Sequence, residues 1–499
     1  MNTKLLKQKI LDLAIRGKLT QQLKRDGTAK DLLTQISDER RETKDERKGT
    51  RSKKSCVILS EAQSAKSKDS GQIIPLDKSE APFEIPANWE WVRLGDVAAL
   101  KGGKRVPAGK TMTTEPTSHI YIRVTDMRDG TIYDDDLHYV TDEIYEVIKN
   151  YTISKNDLYI TIAGTIGRVG LVPDLFDGMN LTENALKITN VIPDKKYLMY
   201  ALQSGFVQDY FESTYHQVAM PKLSLTNASK ALLPLPPLAE QRRIVEKIQE
   251  AFAEIDSIEK NKELLKTHIK QARQKILDLA IHGKLVPQNK ADEPASVLLE
   301  RITRDNPHYE KLTDIPFEIP ESWEWVNAED LFNIRSAIRI HQTDWQKEGI
   351  PFFRGRELVQ LCKTGNVDFE IYISEKLYEE NKRKGGVPQK NDILVSAVGT
   401  LGFAYVVKGN KPFYYKDAYI LCFENRHNLN PFYFQHLIHS KFINKIIYGG
   451  SKGTTVDQLT IENAKKLPMP LPPLAEQKRI VDRIEEIFKS LDEISLHLV

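Results

Sequence analysis

Residues 236–245 have the sequence PPLAEQRRIV, and residues 472–481 have the sequence PPLAEQKRIV. A second stretch recurs at almost the same interval, because PFEIPANWEW at 82–91 returns as PFEIPESWEW at 316–325. An interval of about 235 residues is the length of a domain and far exceeds the repeat of a solenoid protein. The sequence therefore predicts two domain-sized copies, each able to bury a core of its own.

A third repeat has a different interval. QKILDLAIRGKL at 8–19 returns as QKILDLAIHGKL at 274–285, which is 266 positions later. Residues 237–285 are therefore continuous in the middle of the chain, whereas the equivalent segment of the other copy is divided between the two termini. The copies are circularly permuted, and this arrangement predicts approximate two-fold symmetry that brings the two ends of the chain together.

The composition is typical of a cytoplasmic globular protein. The 499 residues, 40% hydrophobic and 28% charged, suggest two to four domains. We find neither an apolar run long enough for a membrane span nor a signal peptide, so no membrane contact is expected. The three cysteines are far apart, which argues against disulfides or a zinc site. With a net charge of +3, DNA binding would require localised positive charge.

The central repeat predicts one long helix. Residues 238–282 contain neither proline nor glycine, and at 1.5 Å per residue such a helix would be about 68 Å long. Apolar residues recur at 3-4-3 spacing from Val245 to Ile255, which is typical of a helix that packs against another helix. Residues 472–499 and 4–16 carry the equivalent positions. We therefore expect an intramolecular antiparallel coiled coil, with a generic coiled coil as the alternative.

The segments that flank this helix predict a mixed fold. They carry short β-branched and aromatic runs separated by turn residues, together with helical stretches, so each is interpreted as a compact α/β (mixed α+β) domain. An extra stretch of charged residues around 41–73 is expected to be either a solvated linker or an arm that follows phosphates. The predicted boundaries are 1–20 for an N-terminal helix fragment that completes the second spacer, 21–81 for a charged linker, 82–235 for the first domain, 236–285 for the central spacer helix, 286–315 for a second linker, 316–471 for the second domain and 472–499 for the C-terminal spacer helix.

Motifs for catalysis are absent from the sequence. It contains no GxxxxGK[ST] phosphate loop and no NPPY-like tetrapeptide of an amino-methyltransferase. Glu380 and Lys382 form an ExK pair, but no Pro-Asp precedes them at a spacing that suits a nuclease. His436 and His439 lie three residues apart without a visible third ligand, so we interpret them as packed or surface histidines rather than a metal site. No catalytic or metal-binding residue is predicted.

Several loops have the chemistry of a nucleic-acid interface. KGGKRVPAGK at 101–110 places cations and adjacent glycines after a strand-like run, which favours phosphate binding, although a basic turn is the alternative. YIRVTDM at 121–127 matches FFRGREL at 352–358, so that an arginine precedes an acidic residue by three positions in both copies. Each arginine could form a structural ion pair or be oriented for a guanine edge.

Two further pairs of loops complete this set. AGTIGRVG and AVGTLGF share a G-T-x-G core, which suits either close backbone approach or a tight turn. HQVAMPKLSL (216–225) and GGSKGTTVDQL (449–459) are polar and rich in hydrogen-bond donors. The candidate DNA-binding residues are Lys101, Lys104, Arg105, Lys110, Arg123, Thr165, Arg168, Gln217, Lys222, Arg335, Arg339, Arg354, Arg356, Thr400, Lys452, Thr454 and Thr455.

The repeated LPLPPLAEQRRIVEKI pattern after each domain, with WEWVRLGDV at the start of the first, resembles the specificity subunit of Type I restriction–modification systems. The resemblance covers essentially the full length. It implies two target-recognition domains, each of which recognises one half of a split site in double-stranded DNA, and a helical pair that sets the gap between the halves. It also implies a subunit without catalytic activity or bound cofactor.

The same resemblance implies partners. Two modification subunits would bring S-adenosylmethionine, and restriction subunits would add ATP- and Mg-dependent translocation and cleavage. The residues assigned to the spacer helices and their partners are Glu240, Gln241, Phe252, Glu476, Gln477 and Phe488. Two other interpretations remain at this point, a self-contained methyltransferase or nuclease and a coiled-coil adaptor that never contacts DNA.

Overall fold

The computed structural model describes residues 2–35, 76, 81–214, 221–304, 309–409, 411–449 and 457–498. The chain forms two compact units, Met1–Lys260 and Asn261–Val499. Each unit combines a mixed α/β domain with helices packed side by side, so the predicted fold class is confirmed. The charged stretch around 41–73 lies outside the described residues. No described helix is both long and apolar enough to cross a membrane.

A four-stranded antiparallel sheet lies at the centre of the first unit. Leu158 and Ile160 point from its third strand into a core shared with Leu202, while Tyr159 points to a separate core on the other face. This alternation follows from the two-residue period of a strand, and both faces are buried. The strands, in spatial order, are Ala99–Gly102, Ala185–Thr189, Leu158–Thr161 and Val169–Leu171.

Smaller elements surround this sheet. Strands Tyr121–Ile122 and Asn180–Leu181 form a parallel pair. The first of these strands leads into a hairpin of Met127–Arg128 and Thr131–Ile132. The remaining elements of the first domain are strands Glu90–Arg93 and Leu232–Leu235, which pair with each other, and helices Leu94–Val97, Asp142–Ile148, Lys195–Gln203, Gly205–Ser213 and Leu225–Ser229.

The second unit repeats this framework. Its four-stranded sheet has the equivalent order, Asn333–Ser336, Ile420–Glu424, Ile393–Ser396 and Ala404–Val406. Its parallel pair is Ile350–Phe353 with Tyr414–Tyr415, and Tyr372–Ile373 adds an antiparallel neighbour. Further elements are strands Glu324–Asn327 and Pro468–Leu471, which pair with each other, and helices Ala295–Thr303, Ala328–Leu331, Gly355–Thr364, Glu375–Arg383, Pro431–Ile438, Lys441–Gly449 and Ile461–Lys465.

The two domains differ after the first strand of the parallel pair. In the first domain this strand is followed by a 3₁₀ turn, Val124–Asp126, and the short hairpin. In the second domain it is followed by a ten-residue helix, Gly355–Thr364, that ends at Gly365 with φ +73°. The framework is therefore constant, and this connection is different in each copy.

The longest helix, Leu238–Ile281, has its first half in the first unit and its second half in the second unit. It begins directly after Pro236 and Pro237. Proline is favourable at a helix start, because the N–H that it lacks would have no partner within the helix there. It ends before Gly283, whose φ of +65° favours glycine. A Cβ at Gly283 would lie 2.3 Å from Pro320 Cγ, so the turn also packs tightly.

Each half of this central helix has an antiparallel partner within its own unit. In the first unit the partner is the N-terminal helix, Thr3–Ile15, where Lys7 pairs with Asp256. In the second unit the partner is the C-terminal helix, Leu474–Leu496, where Asp492 pairs with Arg273. The two ion pairs occupy equivalent positions of the permuted repeat.

The segments predicted as linkers contain packed structure. Residues 29–35 are helical, with Ala29 and Leu33 in the core of the first unit. In the second unit, helix Ala295–Thr303 buries Leu298 and Leu299. The described parts of 21–81 and 286–315 therefore pack in the cores that the spacer helices share with the domains.

Candidate nucleic-acid interface

The PPLAEQ motif joins the central helix to the first domain. The carboxylate of Glu240 accepts hydrogen bonds from Trp89 Nε1 at 2.9 Å and from Gln22 Nε2 at 3.0 Å. The neighbouring Gln241 accepts the backbone N–H of Asp194 at 2.7 Å. Glu240 and Gln241 are both fully buried. This network fixes the position at which the domain leaves the helix.

The second unit has an equivalent network. Trp323 Nε1 donates to Glu476 at 3.0 Å, and the N–H of Asn430 donates to Gln477 at 3.0 Å. Burial raises the pKa of Glu476 above its usual value. The four Glu and Gln residues that the sequence assigns to spacer and partner positions are therefore buried within their own units.

The two phenylalanines of that assignment also have internal contacts. Phe252 packs edge-on against Tyr200 at a centroid distance of 5.8 Å, with Lys7 over its ring. Phe488 packs edge-on against His436 at 5.8 Å, with Arg273 over its ring. Each phenylalanine thus links the helix pair to a helix of its own domain.

His436 and His439 are packed histidines. Burial lowers the pKa of each to about 4, and His439 further lowers that of His436. His439 Nε2 accepts the backbone N–H of Ala404 at 3.0 Å. Among the described residues, no cluster of histidine, cysteine and carboxylate side chains could hold a metal ion.

The two glycines of the KGGK segment have a packing role. A Cβ at Gly103 would lie 2.1 Å from the carbonyl oxygen of Thr182 and 2.3 Å from that of Leu181. Only glycine allows this approach, which here is to the protein's own backbone. The side chains of Lys101 and Lys104 on either side are exposed, so their charges face solvent near the end of the strand.

A cleft of about 390 Å³ lies beside this strand end. Arg105 Nε donates to Glu183 at 2.7 Å, and the arginine side chain is 78% exposed. Tyr121 donates its hydroxyl to the carbonyl of Lys104 at 2.8 Å, and burial raises the pKa of Tyr121 to about 12. The lining residues are Arg105, Val106, Met112, Tyr121, Arg123, Val124, Thr125, Thr182, Glu183 and Asn184.

Arg123 lies in the wall of this cleft, at the carboxyl end of the first strand of the parallel pair. Its Nε and Nη2 donate to Asp126 at 3.2 and 2.7 Å, and its backbone N–H donates to the same carboxylate at 2.7 Å. Its Nη2 also donates to Asp136 at 2.9 Å, and Nη1 lies 3.2 Å from His138 Nε2. The guanidinium is therefore ion-paired, as one of the two predicted alternatives requires.

Arg354 has the same arrangement in the second domain. Its Nε and backbone N–H donate to Glu357 at 3.1 and 3.0 Å. Glu370 lies 3.6 Å from Nη2 of Arg354 and also pairs with Arg356. Arg356 Nε in turn donates to Glu357 at 2.6 Å.

The other candidate cations differ in their exposure. Arg335 is half-buried and pairs with Glu424, whereas Arg339 is 74% exposed and lies 3.9 Å from Asp417. Lys110 pairs with Glu143 at 2.8 Å on the surface.

The G-T-x-G segments form tight turns. Gly164 and Gly167 have φ of +77° and +87°, and the N–H of Gly167 donates to the carbonyl of Thr161 at 2.9 Å. In the second domain Gly402 donates to Ser396 in the same way, at 3.1 Å. The side chains of Arg168 and Thr400 are exposed beside these turns, and Thr165 is half-buried.

A residue beside each turn pairs with a residue of the donor-rich loop in the same domain. Ala163 forms a β-bridge with Lys222, and Val398 forms one with Gln458. Lys222 and Gln458 therefore occupy equivalent positions on the two frameworks. The candidates Gln217, Lys452, Thr454 and Thr455 fall in these loops, outside the described residues.

The sequence did not predict the acids that pair with candidate arginines far from them along the chain. Glu183, Asp136, Glu370 and Glu424 belong to segments that do not repeat between the copies, so no spacing predicts them. The carboxylates at Asp126 and Glu357 were predictable because they recur three residues after the equivalent arginines.

The comparison with known families gives a match in each half of the chain. The family described as "Type I restriction modification DNA specificity domain" matches residues 86–267 and 320–497. The chain belongs to this family. Each matched range contains one domain and part of the spacer helices, which is the unit that the internal repeat defines.

Curated relatives align with most of the chain. The specificity subunit of the Type I restriction enzyme EcoAI from Escherichia coli is 24% identical and aligns with 98% of this chain and 90% of its own. The specificity subunit of the putative type I restriction enzyme MjaX from Methanocaldococcus jannaschii is 26% identical over 81% of this chain and 88% of its own.

Solved structures support the fold. An HsdS subunit from Thermoanaerobacter tengcongensis aligns with a TM-score of 0.50 at 19% identity, over 84% of this chain and 94% of its own. A chain from a study of assembly and conformational transition in a type I R-M system aligns with a TM-score of 0.55 at 19% identity, with the same coverage.

Proposed function

We propose that this specificity subunit recognises a bipartite site in double-stranded DNA, with residues 82–235 binding one half and residues 316–471 the other. The observation that supports this proposal most directly is that some contacts are the same in both units whereas one connection differs. Contacts that join helix to domain recur in both units, as in Trp89–Glu240 and Trp323–Glu476. The connection after the candidate arginine instead differs between the domains.

The chemistry of the exposed residues supports the proposal. Lysine and arginine contacts to phosphates supply most of the affinity, which falls as salt rises. Arginine contacts to guanine edges supply discrimination of about 1–3 kcal/mol each. Half-sites recognised from one face of DNA lie roughly 34 Å apart or at multiples of that distance, and the stiff spacer helices would hold such a distance.

In this proposal the chain itself carries no reaction. Two modification subunits dock along the spacer helices and bring S-adenosylmethionine, and restriction subunits bring ATP and Mg. The specificity subunit selects the DNA sequence, and the partner subunits catalyse the reactions.

A domain exchange tests the proposal. The full chain, assembled with its modification subunits, would methylate a library of random duplexes, and the methylated sequences would be read. Replacing residues 82–235 with the equivalent domain of a relative should change one half-site and leave the other and the gap unchanged. A change in both halves would contradict the modular interpretation. If no bipartite sequence is selected at all, the adaptor interpretation would be favoured.

A further inference from the structure

Two of the candidate arginines, Arg123 and Arg354, each form ion pairs with two acids that differ in exposure. The acid three residues later is buried, with side chains of Asp126 and Glu357 only 7% and 4% exposed. The second acid comes from a later loop and is open to solvent, with Asp136 and Glu370 both 69% exposed. The same division occurs in both domains although the intervening segments differ.

The buried acid orients the guanidinium. Asp126 accepts from the backbone N–H, Nε and Nη2 of Arg123, and Glu357 accepts from the same three groups of Arg354. This binding uses the edge formed by Nε and Nη2. The end formed by Nη1 and Nη2, which can donate two parallel hydrogen bonds to the acceptors of a guanine or a phosphate, is left to other partners.

The exposed acid lies at that end. Asp136 accepts from Nη2 of Arg123 through its side chain at 2.9 Å and its carbonyl at 2.6 Å, and His138 lies 3.2 Å from Nη1. Glu370 lies 3.6 Å from Nη2 of Arg354 and binds Nη2 of the neighbouring Arg356 more closely. A carboxylate in this position offers the arginine the acceptors that DNA would offer, and an exposed ion pair is weak enough to exchange.

Arg123 also has access to a space that could receive a DNA group. It lines the 390 Å³ cleft together with Arg105 and Thr125. The carboxylate of Glu183 in the same cleft binds Arg105 in a similar way at 2.7 Å. The cations of this cleft are thus paired with carboxylates.

We propose that Asp136 and Glu370 set specificity by occupying the DNA-facing end of Arg123 and Arg354 until a correctly placed acceptor displaces them. Asp126 and Glu357 are the positioning residues that keep each guanidinium in place during the exchange. A non-target duplex does not present the acceptor that compensates for the lost ion pair, so the exposed acid lowers non-target binding more than target binding. This inference rests on the proposed function and adds the residues that control its discrimination.

Charge-neutralising substitutions at the exposed acids test the inference. The target is first defined by selection with the unchanged complex of this chain and its modification subunits. Fluorescence anisotropy then gives Kd for target and non-target duplexes. We expect Asp136→Asn to tighten non-target binding by about two- to fivefold, the factor that an exposed ion pair is worth, with a smaller change for the target.

Matched controls separate this effect from net charge. Asp174→Asn removes another exposed aspartate, 87% exposed against 69% for Asp136, that pairs with Lys155 instead. In the second domain Glu379→Gln, whose partner is Lys382, serves the same purpose for Glu370→Gln. The ratio of non-target Kd to target Kd should fall only for duplexes that are altered in the half-site of the substituted domain. A library of partly randomised targets measures this ratio for each half-site.

Two outcomes would overturn the inference while leaving the proposed function in place. One is that Asp136→Asn and Asp174→Asn give the same pair of Kd values. The other is that Asp136→Asn weakens binding to both duplexes, because Asp136 would then support Arg123 in the bound state. An unchanged complex that selects no target sequence would instead overturn the proposed function, and this inference with it.

Discussion

Trp89 donates its indole N–H to the carboxylate of Glu240 at 2.9 Å, joining residues that are 151 positions apart. Trp323 and Glu476 make the equivalent contact at 3.0 Å. In both copies the tryptophan immediately precedes the first strand of the domain, and the glutamate belongs to the first turn of a spacer helix. This hydrogen bond gives a physical reason for the repeated WEW and PPLAEQ sequences.

Substituting Trp89 with phenylalanine should destabilise the first unit. The change removes a donor from a buried carboxylate, which typically costs about 1–3 kcal/mol. Trp91→Phe is a close control, because the Nε1 atom of Trp91 is buried and has no hydrogen-bond partner among the described residues. Chemical denaturation of both variants measures the difference, and an equal or larger loss for Trp91→Phe would contradict the role of the Trp89–Glu240 contact.

The adjacent glycines Gly102 and Gly103 should respond differently to alanine. At Gly103 the new Cβ would overlap two backbone oxygens, whereas at Gly102 its nearest neighbour is Leu186 Cδ2 at 3.9 Å. We expect Gly103→Ala to lower the thermal unfolding temperature strongly or to prevent folding of the first domain, and Gly102→Ala to have little effect. If both variants fold normally and lose only DNA affinity, the glycines serve phosphate binding instead.

Acid should destabilise the second unit through its two packed histidines, which are half-buried. Burial lowers the pKa of His436 and His439 from 6.5 to about 4 in the folded state. Between these values the unfolded chain binds protons that the folded chain does not, so stability is complete above pH 6.5 and falls as the pH drops towards 4. Thermal unfolding measured from about pH 7.5 to about pH 4.5 should show this loss, because that range covers most of the interval between the two pKa values.

The first unit supplies replacements that do not titrate in this range. Tyr200 and Gln203 occupy the positions equivalent to His436 and His439. The double variant His436→Tyr, His439→Gln should therefore reduce the pH dependence, while His497→Gln, at an exposed histidine, should leave it unchanged. An identical pH profile in all three proteins would rule out the packed histidines as its cause.

Lengthening the spacer should change the gap between half-sites. Seven residues inserted into the half of Leu238–Ile281 that pairs with Leu474–Leu496, matched by seven in that C-terminal helix, preserve the apolar stripe and add about 10 Å of helix. That length corresponds to roughly three base pairs of DNA. Methylation of a library with variable gaps should select a gap that is longer by this amount with the same half-sites, and an unchanged gap would argue against a spacing role for the helices.

Much of the framework was predictable because the repeated strings contain the residues that bind each other. The helix predicted over 238–282 is observed as Leu238–Ile281. Intervals of 234, 236 and 266 residues also relate Trp89 to Trp323, Glu240 to Glu476 and Gln22 to Gln288, three members of the network that joins helix to domain.

The details of the candidate interface were less predictable. The helix after Arg354 replaces the hairpin after Arg123, and no repeat exists there to compare. Asp136 and Glu370 reach their arginines through tertiary structure, for which the sequence has no periodic signal. Gly103 has the pattern of a phosphate-binding glycine, and its packing against Thr182 depends on a strand whose position only the fold defines.

The contacts of the N-terminal segment have a consequence for the integrity of the protein. Arg243 binds Asp26 through hydrogen bonds of 2.9 and 2.6 Å, and Leu11, Ile15 and Leu33 belong to the core of the first unit. Cleavage of a peptide bond between residues 36 and 75 would therefore leave two polypeptides that copurify under native conditions and separate only in denaturant. An independent peptide with the sequence of the N-terminal segment should likewise bind a chain that lacks that segment.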